Sequence, residues 1–166
     1  RNKMEFSFSN ARWLTLDEVN SGTDFQDKNA LGFHIPGMWS KILDLTECHL
    51  QEDPSNEIRL SVKKYAEENG LDFFDVKNQE GFLRSLMLRQ NSKGQWMVFF
   101  QLYREEKENR EALFQFLLGR FPQISTLLFA INSKQNDSIY DLDVQTYFGD
   151  GFLMEERTQI IVAVET

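Results

Sequence analysis

The sequence predicts an α+β fold, in which a mixed or antiparallel sheet built from hairpins carries two packed helices. Two pairs of apolar runs, over residues 30–45 and 82–103, are each joined by a turn that contains glycine. Two further segments, 55–70 and 105–121, carry apolar residues at helical spacing. Hairpins interleaved with two helices favour one sheet covered by a helical layer.

The first predicted strand spans residues 4–9. Every second residue of its sequence, MEFSFS, is apolar, which is the period of a half-buried strand. A polar loop is predicted through residues 20–29. The stretch ALGFHIPGMWSKILDL then predicts a hairpin over residues 30–45, because a Pro-Gly pair separates its two apolar runs.

Both predicted helices have a recognisable start or end. In the first, Ser55 is a suitable N-cap and Gly70 a favoured terminator. Its apolar residues at helical spacing are Ile58, Val62, Tyr65 and Ala66. The second helix begins with acidic residues, which suit the helix dipole, and is expected to end near Gly119 and Pro122. Its apolar stripe is predicted to be Ala112, Leu113, Phe116 and Leu117.

The remaining strands are predicted from turns and apolar runs. Gly94 can adopt a positive φ in the turn of the hairpin over residues 82–103. The mostly apolar residues 124–132 predict a strand, and residues 144–156 predict a third, shorter hairpin.

Composition and charge limit the classes of function. With 41% hydrophobic residues and 15 phenylalanines among 166 residues, the chain can bury the core of one domain without a metal or disulfide. A formal net charge of -8 argues against coating nucleic acid by bulk electrostatics. From residue 81 to 104, however, there is no acidic residue and a local basic surface is compatible with the sequence. The basic residues there are Arg84, Arg89, Lys93 and Arg104.

No stretch approaches the roughly 20 apolar residues that span a bilayer, and the first ten residues lack the apolar core of a signal peptide. We therefore expect a soluble protein of a reducing compartment. The chain begins at Arg1 instead of a methionine, directly at a stretch that looks like a strand, which suggests a fragment of a longer protein.

The sequence contains no recognisable catalytic or nucleotide-binding motif. No glycine-rich loop joins a strand to a helix, so no nucleotide site is signalled. Cys48, the only cysteine, and His49 are sequence neighbours, which rarely lets a nucleophile meet its base. They also lack the paired spacing of a zinc site. From the residues alone, Cys48 is a free thiol on a short polar linker.

Several separated stretches together resemble the RNA uracil-C5 methyltransferases. RNKMEFSFSN resembles the arginine-containing strand that opens their central domain, and LGFHIPGMWSKILDLTEC their Gly-Phe strand, turn and cysteine-ended strand. EGFLRSLMLR is similar to a Gly-x-Leu-Arg strand of the family, and FAINSKQND to a segment after the next helix. The stretches occur in family order over residues 1–156, and the ribosomal RNA branch fits best.

The resemblance implies a reaction that this chain does not carry out by itself. In the family, a cysteine attacks C6 of uracil, a methyl group passes from S-adenosylmethionine to C5, and a carboxylate removes the C5 proton. The nucleophile and the cofactor site lie in a C-terminal domain beyond the similar stretches. We therefore expect no catalytic and no cofactor-binding residue here.

The resemblance also implies a role for Cys48. Iron-sulfur members of the family have three cysteines N-terminal to this region and a fourth at the place of Cys48. Iron-sulfur clusters are typically held by four thiolates. Cys48 is thus predicted to be one metal ligand, with a simple free thiol as the alternative.

The central domain of the family helps to hold folded RNA against the catalytic domain. By this resemblance Arg1 and Lys3 are expected to contact RNA, and Arg84 and Arg89 are candidates with a structural or solvated arginine as the alternative. Because Arg84 and Arg89 are five residues apart on a strand, they should lie on opposite faces. At most one of them should face RNA.

The resulting hypothesis is a cytoplasmic, S-adenosylmethionine-dependent rRNA uracil-C5 methyltransferase. Residues 1–156 would form its RNA-recognition domain, and further N- and C-terminal domains would complete the protein. Residues 157–166 depart from the family pattern and form a strand or tail, in which Glu165 has no assigned role. The alternative is a non-enzymatic protein-interaction module of the same fold, which predicts no RNA binding at any salt concentration.

Overall fold

The computed structural model describes residues 1–25 and 28–155. Their centre is a seven-stranded sheet in the order β3-β2-β1-β4-β5-β6-β7. The strands and helices, in chain order, are β1 (Lys3–Ser9), α1 (Leu16–Asn20), β2 (Ala30–Ile35), β3 (Met38–Asp44), α2 (Ser55–Glu68), β4 (Leu83–Gln90), β5 (Trp96–Leu102), α3 (Lys107–Arg120), β6 (Ile124–Ile131) and β7 (Gln145–Phe148).

The sheet is mixed. Neighbouring strands are antiparallel except β5 and β6, which are parallel and are connected through α3. A parallel pair needs a crossover of this length, whereas antiparallel strands can be joined by short turns. The predicted α+β class, the strand at residues 4–9 and the hairpins over residues 30–45 and 82–103 are confirmed.

Helices α2 and α3 cover one face of the sheet, here called the helix face. Every second residue of β1 points into it, so that Phe6 is fully buried and stacks on Phe33 with ring centroids 5.4 Å apart. The two helices meet through Tyr65 and Phe116, whose rings are 4.6 Å apart. Each fully buried large apolar side chain contributes about 1.5–3 kcal/mol, which makes this face the main core.

The other face of the sheet is divided into two parts. Over β5 and β6, a small apolar cluster that includes Phe99 and Leu128 is covered by residues of the chain's last described segment, among them Leu142 and Leu153. Over β1, β2 and β4 no described helix covers the sheet. We call this part the open face. It consists of Lys3, Glu5, Ser7, His34, Met87 and Arg89.

Two expectations about secondary structure are wrong, and one short helix was not predicted. The predicted third hairpin does not form, because β7 pairs with β6 and no described strand follows it. A short helix, α1, precedes the predicted polar loop, where Thr15 and Glu18 form a capping box. Ser55 is not the N-cap of α2. It is buried in the first turn, and its hydroxyl donates to Gln51 Oε1 at 2.7 Å.

The buried stripe of α3 also differs from the predicted one. Ala112 is exposed and Phe114 is fully buried. The ring of Phe114 packs against Phe100 and Tyr147 at centroid distances of 5.1 and 5.0 Å, which fixes the orientation of the helix. The uncertain tail at residues 157–166, with Glu165, lies outside the described residues.

Candidate nucleic-acid interface

Two predicted RNA contacts, Lys3 and Arg89, lie side by side on the open face. They are directly opposite each other in the antiparallel pair of β1 and β4, and both side chains are exposed. Residues opposite each other in such a pair have Cβ atoms about 5 Å apart. The nearest acid on this face is Glu5, whose carboxylate is 3.8 Å from Lys3 Nζ. The open face therefore has one positive charge more than it has negative charges, although the chain has a net charge of -8.

Arg1 lies at one end of this surface. Its terminal amino group donates to the Leu50 carbonyl at 2.7 Å, and the residue is exposed. Together with Lys3 and Glu5, and with Phe33 of the helix face, it lines a depression of about 420 Å³. A cation beside a half-buried aromatic ring can contact phosphate and base.

Arg84 is buried, with only 3% of the side chain exposed. Its guanidinium pairs with Asp137 at 2.8 Å and donates to the carbonyls of Asn132 and Lys134 at 2.7 and 2.6 Å. It also lies 4.7 Å from the ring centroid of Phe74. These contacts favour the structural alternative for Arg84 over contact with RNA. Of the two candidate arginines of β4, Arg89 is the exposed one.

Cys48 belongs to the core of the helix face and is 7% exposed. Its backbone N–H donates to Asn56 Oδ1 at 2.8 Å, and its carbonyl accepts from Asn56 Nδ2 at 3.1 Å. Arg59, also buried, donates to Asn56 Oδ1 at 3.0 Å. Burial lowers the pKa of the Arg59 guanidinium, while the nearby Cys48 and Asp44 act to raise it. The linker after β3 is thus fixed against α2.

These surroundings do not by themselves fit an iron-sulfur cluster. A cluster needs about four thiolates, and this chain supplies one. Across residues 1–25 and 28–155, no group of three or more histidine, cysteine or acidic side chains could hold a metal ion. The ligand role of Cys48 stays a prediction.

A cleft at the Ser7 end of the open face contains residues that the sequence did not single out. Trp39, His34 and Gln135 line it together with the Arg84–Asp137 pair. Trp39 directly follows the Pro-Gly-Met turn, and 64% of it is exposed. The position of Trp39 beside a predicted hairpin turn could have indicated that its ring is exposed. The contribution of Gln135 had no local signal, because it lies about 100 residues further along the chain.

No protein-family model matches the chain. An uncharacterized RNA methyltransferase of Porphyromonas gingivalis is 47% identical over 161 residues, which cover 94% of this chain and 35% of that protein. The chain is homologous to RNA methyltransferases. It spans about a third of the length of such curated relatives.

Two further RNA methyltransferases are more distant. The tRNA (uracil(54)-C(5))-methyltransferase of Pyrococcus furiosus is 29% identical over 129 residues, covering 77% of this chain and 29% of that enzyme. A crystal structure of the Pyrococcus abyssi tRNA (uracil-54, C5)-methyltransferase with S-adenosyl-L-homocysteine superposes with a TM-score of 0.63. It is 23% identical and covers 94% of this chain and 33% of that one, and it shows that the fold is shared.

Helix α2 and helix α3, at 14 residues each, are the longest described helices. Neither these nor α1 is long and apolar enough to cross a bilayer.

Proposed function

We propose that residues 1–156 form the RNA-recognition domain of an S-adenosylmethionine-dependent RNA uracil-C5 methyltransferase. The observation that carries this proposal is the homology, which extends over 94% of the chain but over only 35% of the relative's length. A segment of that size, with an open sheet face, is suited to hold a substrate for chemistry performed elsewhere in the protein. The homology does not favour a non-enzymatic interaction module.

The open face supports binding to RNA. Lys3 and Arg89 are adjacent and exposed, and Arg1 is at the same end of the sheet. Phosphate contacts need exposed cations on one surface, and the net charge of the chain does not decide whether such a surface exists. Helices α2 and α3 lie on the opposite side of the sheet, so they leave the open face accessible to RNA.

The position of Cys48 supports a proposal that the chemistry takes place in another domain. Cys48, the only thiol of this chain, is buried and held by Asn56 on the helix face, away from the open face. A nucleophile for uracil has to reach the base, which this thiol does not do. We place the catalytic cysteine and the S-adenosylmethionine site in a further C-terminal domain. Any cluster that Cys48 helps to hold would require three thiolates from an N-terminal domain.

The RNA is proposed to be ribosomal, as the similar stretches suggest, and the enzyme to be cytoplasmic. The named Pyrococcus relative acts on uracil 54 of tRNA, so tRNA is the competing substrate. Sequence-specific proteins read RNA chiefly in unpaired segments.

The test is methyl transfer by the intact protein. Purified protein is incubated with S-adenosylmethionine labelled in the methyl group and, in parallel, with ribosomal RNA and tRNA that lack 5-methyluridine. Nuclease digestion and mass spectrometry should detect 5-methyluridine in the ribosomal RNA. Product in tRNA alone would overturn the ribosomal assignment, and methylation at another atom or no methylation of either RNA would overturn the proposed reaction.

A further inference from the structure

The cleft at the Ser7 end of the open face is the second surface on which RNA can be read. Its interior of about 40 Å³ is too small to enclose a base. We propose that one unpaired nucleobase stacks on Trp39 at the mouth of this cleft, while the phosphates on either side follow the basic residues of β1 and β4. This inference rests on the proposed function and specifies how the same surface recognises RNA.

Trp39 offers a free aromatic face. It is 64% exposed, whereas Trp96 is 2% exposed and belongs to the core. Within the described part of the chain, Trp39 has no ring contact and its indole N–H no acceptor. An exposed indole ring is an apolar surface in contact with water, which is unfavourable. A stacked base removes that surface from water, and any base can stack because every base has a π-face.

Polar groups around Trp39 can meet the edge of a base. His34 Nε2 and Ser7 Oγ are 3.1 Å apart, so one of them donates to the other and the hydroxyl keeps a further hydrogen-bonding position. The side-chain amide of Gln135, also in the lining, has no partner among the described residues. An amide has both donors and an acceptor, which is what the hydrogen-bonding edge of a base requires.

The charges of the cleft suit an uncharged ring. Its cation, Arg84, is already paired with Asp137 at 2.8 Å, so the pair has no net charge. Exposed cations are found instead at the other end of β1. Lys3 is four residues from Ser7, or about 13 Å at the usual rise of about 3.3 Å per residue. Base and phosphate would therefore be bound at separate points along one strand.

The direct test compares variants of the intact protein in binding a uridine-rich, single-stranded RNA oligonucleotide, measured by fluorescence anisotropy. Trp39→Ala should weaken binding about tenfold, in line with the loss of one stacked base, and Trp39→Phe should restore most of it. Phe148→Ala is the matched control, since Phe148 is an exposed aromatic residue on β7, at the far side of the sheet. It should change the dissociation constant less than twofold.

Salt dependence separates the stacking contact from the phosphate contacts. Removing Lys3 or Arg89 should lower the slope of log K against log salt by about 0.7 each for single-stranded RNA. Trp39→Ala should leave this slope unchanged. Heparin, a polyanion without bases, should bind wild-type and Trp39→Ala protein equally.

The outcomes distinguish the two proposals. If Lys3→Ala and Arg89→Ala weaken RNA binding while Trp39→Ala does not, the base site is wrong and the RNA-recognition function stands. If Trp39→Ala weakens heparin binding as much as RNA binding, the ring acts on the surface as a whole and the base site is wrong. If the wild-type protein binds no RNA at any salt concentration, both are wrong.

Discussion

Two arginines on strand β4 show how strongly the surroundings of a residue decide its role. Arg84 has a buried guanidinium that crosslinks the strand to the segment after β6, through Asp137 and two backbone carbonyls. Arg89 is five residues away, exposed, and opposite Lys3. We therefore expect changes at Arg84 to affect folding and changes at Arg89 to affect binding of anions.

Arg84→Ala should destabilise the protein by about 2–4 kcal/mol, because it leaves the carbonyls of Asn132 and Lys134 without this donor and removes a charged pair. Arg89→Ala, the control on the same strand, should stay within about 0.5 kcal/mol. Urea unfolding followed by circular dichroism measures both. An Arg84→Ala protein as stable as the wild type would mean that its acceptors find water instead.

The sequence could assign cations to strand β4 but not their partners. The acceptors of Arg84 lie 48 to 53 residues further along the chain, in an irregular segment. Strand periodicity separates the faces of a sheet, yet it does not say which face a loop will cover. For the same reason the burial of Cys48 against Asn56 was not predictable from the linker in which it lies.

At the scale of elements, local signals were sufficient where a turn determines the pairing. Gly37 and Gly94 both adopt a positive φ, at the hairpins predicted around them. The expected third hairpin failed because β7 bonds to β6 instead, a long-range contact that also fills space beside Phe114. Hairpin signals predict pairing between strands that are adjacent in sequence. The pairing of β7 with β6 depends instead on the position of β6 in the sheet.

Two glycines with opposite conformations allow a test of these elements. Gly119 is in α3 with open space where a Cβ would be, so Gly119→Ala should stabilise the protein by about 0.5–1 kcal/mol through the lower helix propensity of glycine. Gly94 also has open space, but its φ is +74°. Gly94→Ala should therefore destabilise by about 1–2 kcal/mol. Urea midpoints should move in opposite directions, and a common direction would contradict the assigned backbone conformations.

The turn at residues 75–80 should contribute to the stability of the folded protein in a pH-dependent way. Asp75 accepts from the side chain of Asn10 at 3.0 Å and from the backbone N–H groups of Asn78 and Lys77, each at 2.9 Å. These hydrogen bonds lower the pKa of Asp75 from its ordinary value of 3.8. A lowered folded-state pKa means that the stabilisation is present above the unfolded value and is lost as the pH falls through the folded value.

Asp75→Asn should therefore cost about 1 kcal/mol at pH 7, since a carboxylate is a stronger acceptor than an amide. The difference between wild type and variant should shrink as the pH falls below 3.8. Unfolding in urea at several pH values measures this difference in the free energy of unfolding. The titration of the other acids is common to both proteins and cancels in the difference. A difference that is constant with pH would show that the charge of Asp75 is not responsible.

At the scale of the whole molecule, the charge of the open face differs from the net charge of the chain. The open face has Lys3 and Arg89 against Glu5 alone, whereas α2 and α3 on the other face carry five acidic and six basic residues. The net charge of -8 was an argument against nucleic-acid binding at the level of composition. It loses force once the two faces are distinguished, because ions screen charges beyond about 10 Å at 0.1 M salt.

A single neutralisation tests whether the open face is the one that meets RNA. Glu5→Gln removes an acid that is 47% exposed and 3.8 Å from Lys3 Nζ. At low salt it should tighten RNA binding about two- to threefold, the effect of one unit charge several ångströms from a phosphate in water.

The matched control is Glu68→Gln on α2, where the acid is 62% exposed and 3.7 Å from Lys64 Nζ. Both variants change the net charge of the protein by the same amount, so a response to net charge alone would be equal in the two. A response to position requires Glu5→Gln to bind RNA more tightly than Glu68→Gln, with the advantage fading as salt is raised towards 1 M. Equal affinities in anisotropy titrations would show that RNA does not approach the open face, and the phosphate contacts would then have to be sought at another surface of the sheet.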